Sequence, residues 1–241
     1  MFKYNNKLKF VLLIKIDNNK YKEKNNIKSW RTEKESLIKY LEENGLHIVK
    51  KSEFETLVNI AGEAYQDYPL CVHFSGGKYD AEDLKQIVRV NFHTMYDECI
   101  IFSDSEELNG CVILLPPGYT GIRTLSFIWN GGFKILLHQG IGAINRMAKF
   151  ESFAMNLRKK YTNNEDWYLY NLFVNKNVKG KKVSSKLIKP LINYFKLHKK
   201  ICYLETNSNL NVPIYEHFGF KLMEKCLVPG SNVEHFCMML D

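Results

Sequence analysis

Trp167-Tyr-Leu-Tyr-Asn-Leu-Phe-Val174 runs straight into Asn175-Lys-Asn-Val-Lys-Gly-Lys-Lys-Val-Ser-Ser-Lys-Leu-Ile188, and the change of period between them decides the fold. The first run is aromatic-rich and alternates, the pattern of a strand buried on at least one face. From Ser184 the period lengthens. Leu187, Ile188, Leu191, Ile192 and Phe195 form one apolar helical stripe, with Ser184 or Ser185 placed to cap its first turn. A strand, a short basic turn and a helix N-terminus in that order can bind phosphate. Unpaired backbone N–H groups and the positive end of the helix dipole converge there, and Lys179, Lys181, Lys182 and Lys186 add full charges. A solvated basic loop is the plainer alternative.

Downstream lie Tyr203-Leu-Glu-Thr206 and Asn211-Val-Pro-Ile-Tyr-Glu-His-Phe-Gly-Phe220. With these in place, the order of strand, phosphate-type loop, helix, strand and Asn-x-x-x-Tyr-Glu-x-x-Gly-Phe resembles the GNAT superfamily of acetyl-CoA-dependent N-acetyltransferases. The resemblance covers roughly Trp167 to Phe220 and looks closest to the puromycin-type subgroup. It implies an α/β (α+β mixed) fold: a central twisted, mixed, mostly antiparallel sheet flanked by helices, with a helical insertion before the fourth core strand.

The chain departs from the family in the loop. Where family members carry Gln or Arg, two variable residues, Gly, one variable residue, then Gly or Ala, the matching positions are Lys179, Lys182 and Ser184, with Gly180 a neighbour of the motif. A side chain at Lys182, where backbone approaches a pyrophosphate, calls for negative φ there.

The resemblance also implies roles. Acetyl-CoA is the cosubstrate. Backbone groups of Leu172, Phe173 and Val174 hold its pantetheine arm and acetyl carbonyl, and the amides of Lys179, Gly180, Lys181, Lys182, Val183, Ser184 and Ser185 hold its pyrophosphate. Tyr215 matches the tyrosine that protonates the departing thiolate, since a phenol is protonated at neutral pH. Asn211 matches a position where an amide bonds the pantetheine arm or caps the helix carrying Tyr215. The base is read from the strand itself. Glu205 alternates with Tyr203 on one face while Cys202, Leu204 and Thr206 take the other. Its carboxylate is either the acceptor of the amine proton, directly or through water, or a structural hydrogen-bonding group. Tyr170, Asn171, His138 and His217 are weaker candidates.

The net charge of +8 is local. Residues 1–31 hold nine basic and two acidic residues, whereas the rest holds 25 basic and 24 acidic. The excess belongs to an Asn/Lys-rich leader, which argues against a general nucleic-acid-binding face. The domain expected is 32–241, and deleting 1–31 would test nucleic-acid binding through the leader. The apolar run Phe10–Ile14 is too short for a membrane span or a signal core. Six cysteines without C-x-x-C spacing read as buried reduced thiols of a cytoplasmic protein, and no structural metal is expected.

Along the chain, Lys9–Ile16 reads as a strand or as part of the leader, and 17–26 as a linker. A helix is expected over Glu33–Glu43, then a strand over Leu46–Lys50. Ser52-Glu-Phe-Glu55 reads as a capping box and Asp80 as the cap of a helix running to about Tyr96. The stretch Tyr65–Tyr79 between these helices is a candidate lid over the acceptor side, with an ordinary helix connection as the alternative. Cys99–Asp104 and Asn109–Leu115 read as a hairpin, and Leu222–Val228 and Val233–Leu240 as the last strands. Residues 119–161 are the insertion, expected as short helices bent at Gly131-Gly132, Gly140 and Gly142. The function expected is direct acetyl transfer to the amine of a small molecule, by a monomer or homodimer. A non-catalytic acyl-CoA-binding sensor or scaffold and a protein N-acetyltransferase remain open.

Overall fold

The computed structural model describes residues 23–77, 79–119, 128–163, 165–178 and 180–241, without the side chains of 23–30, 128 and 136. The expected strand at Lys9–Ile16, residues 120–127 of the insertion and Lys179 lie outside the described residues.

The elements run α1 (Glu23–Glu43), β1 (His47–Ile48), α2 (Phe54–Ala64), α3 (Pro69–Phe74), α4 (Ala81–Met95), β2 (Ile100–Ser103) and β3 (Gly110–Leu115). After these come α5 (Phe133–Tyr161), β4 (Trp167–Val174), α6 (Val183–Leu197), β5 (Cys202–Thr206), α7 (Val212–His217), β6 (Lys221–Leu227) and β7 (Glu234–Leu240). The seven strands make one sheet in the order β1-β2-β3-β4-β5-β7-β6. Only β4 and β5 run parallel.

Three expectations change at the N-terminal side. The first helix begins at Glu23, so the residues read as linker end and leader end continue into it. Glu33 explains why its later turns belong to the domain: its carboxylate accepts from Trp167 Nε1 (3.0 Å) and from Lys200 Nζ (2.9 Å), tying α1 to the starts of β4 and β5. The first strand shrinks to two residues. The capping carboxylate is Glu53, which accepts the Lys50 N–H (2.7 Å) over a 3-10 turn, while Glu55 pairs with Arg89 on α4. Asp80 caps α4 as expected, accepting from the Glu82 and Asp83 amides.

The insertion is made of short helices that meet at glycines, as expected: α5 is two helices joined at Gly140. Gly131 (φ 103°) and Gly140 (φ 73°, ψ 174°) leave helical geometry, whereas Gly142 stays helical. The first two adopt backbone that a side chain would strain.

Both sheet faces are covered. Ile100, Phe102, Val112, Leu114, Trp167 and Leu169 pack with α1 and α6. Ile101, Cys111, Ile113 and Phe173 pack with α2 and α4 on the other face. On β4 the alternation breaks. Ile113 faces Asn171 and Leu114 faces Leu169, so Tyr170 is an extra residue in a β-bulge. Beyond it the parity reverses: Leu172 and Val174 join the face of Trp167 and Leu169, and Phe173 joins that of Tyr168 and Tyr170. The bulge also ends the parallel pairing. β4 and β5 pair only from Trp167↔Cys202 to Leu169↔Leu204 and then separate.

Gly110 sets how closely α6 sits on the sheet. A Cβ there would stand 2.9 Å from Val183 Cγ1, 3.0 Å from Leu187 Cδ1 and 3.0 Å from the Phe173 carbonyl oxygen. Gly110→Val should therefore push the first turn of α6 off β3 and lower stability by roughly 1–3 kcal/mol, measured by denaturant unfolding. An unchanged midpoint would mean that this contact yields freely.

Candidate active site

The separation of β4 from β5 opens a V whose walls are both polar. Tyr65 and Tyr68, from the connection between α2 and α3, reach into it with rings 5.5 Å apart and edge to face. The Tyr65 hydroxyl donates to Asn171 Oδ1 and to the Leu172 carbonyl (3.2 Å) on the β4 wall. On the β5 wall, Tyr68 Oη accepts the Asn207 N–H (2.6 Å) and lies 3.2 Å from Thr206 Oγ1. Asn211 Nδ2 donates to Thr206 Oγ1 (3.0 Å) and caps nothing, so its amide ties α7 to the end of β5. Tyr215 is buried at 7% exposure among these groups, and loss of water holds its phenol well above the ordinary tyrosine range.

The stretch read as a lid is anchored. Arg146 of α5 donates twice to the Phe74 carbonyl (2.6 and 3.0 Å). A groove of about 980 Å³ beside it is lined by His73, Gly76 and Gly77 of that stretch, Arg146, Asn207 and the Gly230–Glu234 turn.

At the open end of β4 the chain makes a 3-10 turn, Lys176–Val178, and enters α6. Neither Ser184 nor Ser185 caps the helix. Lys182 is the N-cap, and its φ of 61° reverses the expectation of a negative φ. Together with Gly180 (φ 86°) it turns the loop so that α6 starts at Val183. The amides of Val183, Ser184 and Ser185 are those a helix leaves without an intrahelical acceptor, since the first such bond runs from Lys186 N–H to the Lys182 carbonyl (3.0 Å). Beside this turn lies a pocket of about 380 Å³ lined by Asn44, Lys181, Lys182, Ser185, Lys186, Lys189 and Pro190. Free amides, a helix N-terminus and four lysines fit a phosphate-bearing group. Lys179 lies outside the described residues.

Since a left-handed conformation costs a residue with a Cβ about 1 kcal/mol, Lys182→Gly should stabilise the protein by up to about that much. A destabilised variant would mean that the Lys182 side chain contributes more than its backbone strain costs.

Glu205 is the first β5 residue past the last β4 pair, and its side chain is only 7% exposed. Tyr203 donates to Oε1 (2.9 Å) and Tyr168 to Oε2 (3.1 Å). Loss of water pushes its carboxyl up to about 7, against the pull of these two hydroxyls and of Arg158. Arg158 of α5 stacks over the Tyr168 ring at 4.6 Å. Two α5 turns away, the Glu151 side chain is open to solvent on one side and packed by protein on the other, which pushes its carboxyl up as well. A carboxyl that ionises near neutrality beside an open strand gap can accept a proton from an ammonium.

Of the weaker candidates, Tyr170 and Asn171 form the bulge at the gap, while His138 and His217 are exposed elsewhere. The sequence reading did not single out Tyr168, Arg158, Glu151 or His235. Tyr168 alternates with Tyr170 and was legible as its facing neighbour; the others come from elements distant in sequence. All six cysteines are free, with Cys99, Cys111, Cys202 and Cys237 buried. Among the described residues no helix is long and apolar enough to cross a membrane.

The acetyltransferase (GNAT) domain model matches residues 155–240, the segment holding the loop, Glu205 and Tyr215. An uncharacterized N-acetyltransferase of Schizosaccharomyces pombe is 24% identical over 178 residues, 70% of this chain and 71% of its own. Among solved structures, an HPA2-related histone acetyltransferase from Corynebacterium glutamicum superposes with a TM-score of 0.54 at 15% identity, covering 81% of this chain and 94% of its own. A polyamine N-acetyltransferase of Drosophila melanogaster gives 0.53 at 12% identity, with 81% and 98% covered. These likenesses establish the domain and the fold and stop short of the puromycin-type subgroup.

Proposed function

Because the chain is a GNAT-type N-acetyltransferase, we propose that it moves an acetyl group from acetyl-CoA directly to the amine of a cationic small molecule, with Glu205 as the base. The observation that carries this is the Glu205 carboxyl, buried where the strands part and poised at about 7. Acetyl-CoA supplies the activated acyl carbon and the thiol leaving group. The chain's own residues do the rest. The free amides of Val183 to Ser185, with Lys181, Lys182 and Lys186, hold the pyrophosphate, and the backbone of Leu172 to Val174 lines the pantetheine side of the gap. Glu205 takes a proton from the ammonium, the freed amine lone pair attacks the acetyl carbon as the C–S bond breaks, and Tyr215, protonated throughout the physiological range, gives a proton to the departing thiolate.

The acceptor class follows from the walls of the gap. Glu205, Glu151 and the ring of Tyr170 favour a positively charged amine, against the single positive charge of Arg158, which already covers the Tyr168 ring. The Drosophila enzyme, whose product is N-acetylagmatine, takes an acceptor of this kind. Direct transfer is supported by Cys237, opposite Glu205 on β7, whose thiol burial pushes up to about 12 and so makes a poor nucleophile at neutral pH.

The test is thiol release from acetyl-CoA across a panel of diamines, arylalkylamines and amino-terminal peptides, with binding followed by thermal unfolding. Acetyl-CoA at ~100 times its dissociation constant should add about 2.7 kcal/mol, roughly 5–10 °C, and dephospho-CoA less. Turnover with peptides alone would replace the small-molecule reading by protein acetylation. Binding without release for any amine would replace catalysis by sensing.

A further inference from the structure

His235 lies on β7 with no exposed surface, its imidazole edge-on to Phe150 (5.7 Å) and Phe153 (5.2 Å) of α5. A buried ring between apolar rings needs both nitrogens satisfied. One is: Asn207 Nδ2, which also donates to the Glu234 carbonyl (2.8 Å), stands 3.2 Å from Nδ1. An amide N–H can only donate, so Nδ1 accepts and the ring hydrogen sits on Nε2. Nε2 has no hydrogen-bond partner and lies 3.9 Å from Oε2 of Glu205.

We infer that His235 is the positioning residue for the base: its Nε2–H, fixed in place by Asn207, points a permanent dipole at Glu205 Oε2 and holds that carboxylate ready for the ammonium. The distance is too long for a hydrogen bond, and a closure of less than about 1 Å on acceptor binding would make it one. This rests on the reading of Glu205 as the base.

Other groups also face the carboxyl. Tyr203 lies on its own strand, Tyr168 and Tyr170 on β4, and Arg158 and Glu151 on α5. Cys237 on β7, Cys226 on β6 and Tyr68 from the α2–α3 connection complete the set, while Glu224 on β6 acts on His235. Of these, Tyr168, Tyr203 and Arg158 favour the ionised form directly, as His235 would. Burial pushes the His235 imidazole down to about 4. It is therefore neutral and invariant while Glu205 titrates, so a pH profile between 5 and 9 reports on the carboxyl.

The experiment is the pH profile of kcat/KM with the best amine of the panel, for the full chain carrying His235→Phe, His235→Gln or Asn207→Ala. Phe keeps the ring volume between Phe150 and Phe153 but has no donor. Its acid limb should move up by about one unit, and Gln, whose amide can replace Nε2–H, should restore it. Asn207→Ala gives a second reading if Phe does not fold. It frees Nδ1 to donate to the Glu234 carbonyl, turns a lone pair toward Oε2 and should shift the limb the same way. Wild-type limbs in folded Phe and Ala variants overturn the inference, as does a Gln limb that stays shifted with Phe. If Glu205→Gln itself retains full activity, the reading of the base has failed instead.

Discussion

Glu205→Gln should lower kcat by about 10²- to 10⁴-fold at pH 7 while raising stability at pH 8. The two effects have one cause. In the unfolded chain the carboxyl ionises near 4.5, and in the fold near 7, because the strand gap strips it of water. Between those values the folded state holds more protons than the unfolded one, so stability is greatest below pH 4.5 and falls as pH rises to 7. Above 7 the ionised carboxylate costs on the order of 2–4 kcal/mol, which the amide removes. The midpoint of thermal unfolding should then rise by roughly 5–10 °C at pH 8 and hardly change at pH 4. Tyr203 and Tyr168 can serve as partners of the amide, since a hydroxyl both donates and accepts. A variant that is destabilised at pH 8, or fully active, would show that Glu205 is a structural acceptor ionised at an ordinary pH.

Tyr215→Phe should lower kcat about 100-fold with the KM for acetyl-CoA changed little. Phe keeps the ring that packs against Phe220 at 5.8 Å, so the fold should survive. What is lost is the proton delivered to the thiolate. Burial pushes the phenol up, and the wild-type enzyme should therefore show no alkaline limb from this residue up to about pH 10. An unchanged kcat would leave Tyr215 a packing residue and assign thiolate protonation to solvent.

Much of the molecule can be read from local pattern, and the failures have specific causes. The hairpin of β2 and β3, the cap at Asp80 and the change from strand to helix after Val174 each depend on residues within a few positions, and each appears where expected. The loop departs from local pattern at Lys182. A lysine does not itself announce positive φ, and it takes this conformation because α6 must start at Val183 to pack over Gly110. Ser184 and Ser185 look like caps only in isolation, because the helix starts before them. Asn211 does stand at the N-cap position of α7, but its side-chain amide bonds Thr206, five residues away and on another element, instead of the helix.

The sequence by itself determined the strand-loop-helix unit, the lysines beside a helix N-terminus and the placing of Glu205 with Tyr203 on one face. These follow from periods of 2.0 and 3.6 and from the chemistry of single side chains. Only the tertiary structure decided the site. The extra residue at Tyr170 reverses the facing of β4 and parts it from β5. That opens the gap in which Tyr168, Arg158, Glu151 and His235 meet Glu205 from three other elements. A carboxyl's proton affinity depends on the water and charges around it, and chain segments far apart in sequence supply those.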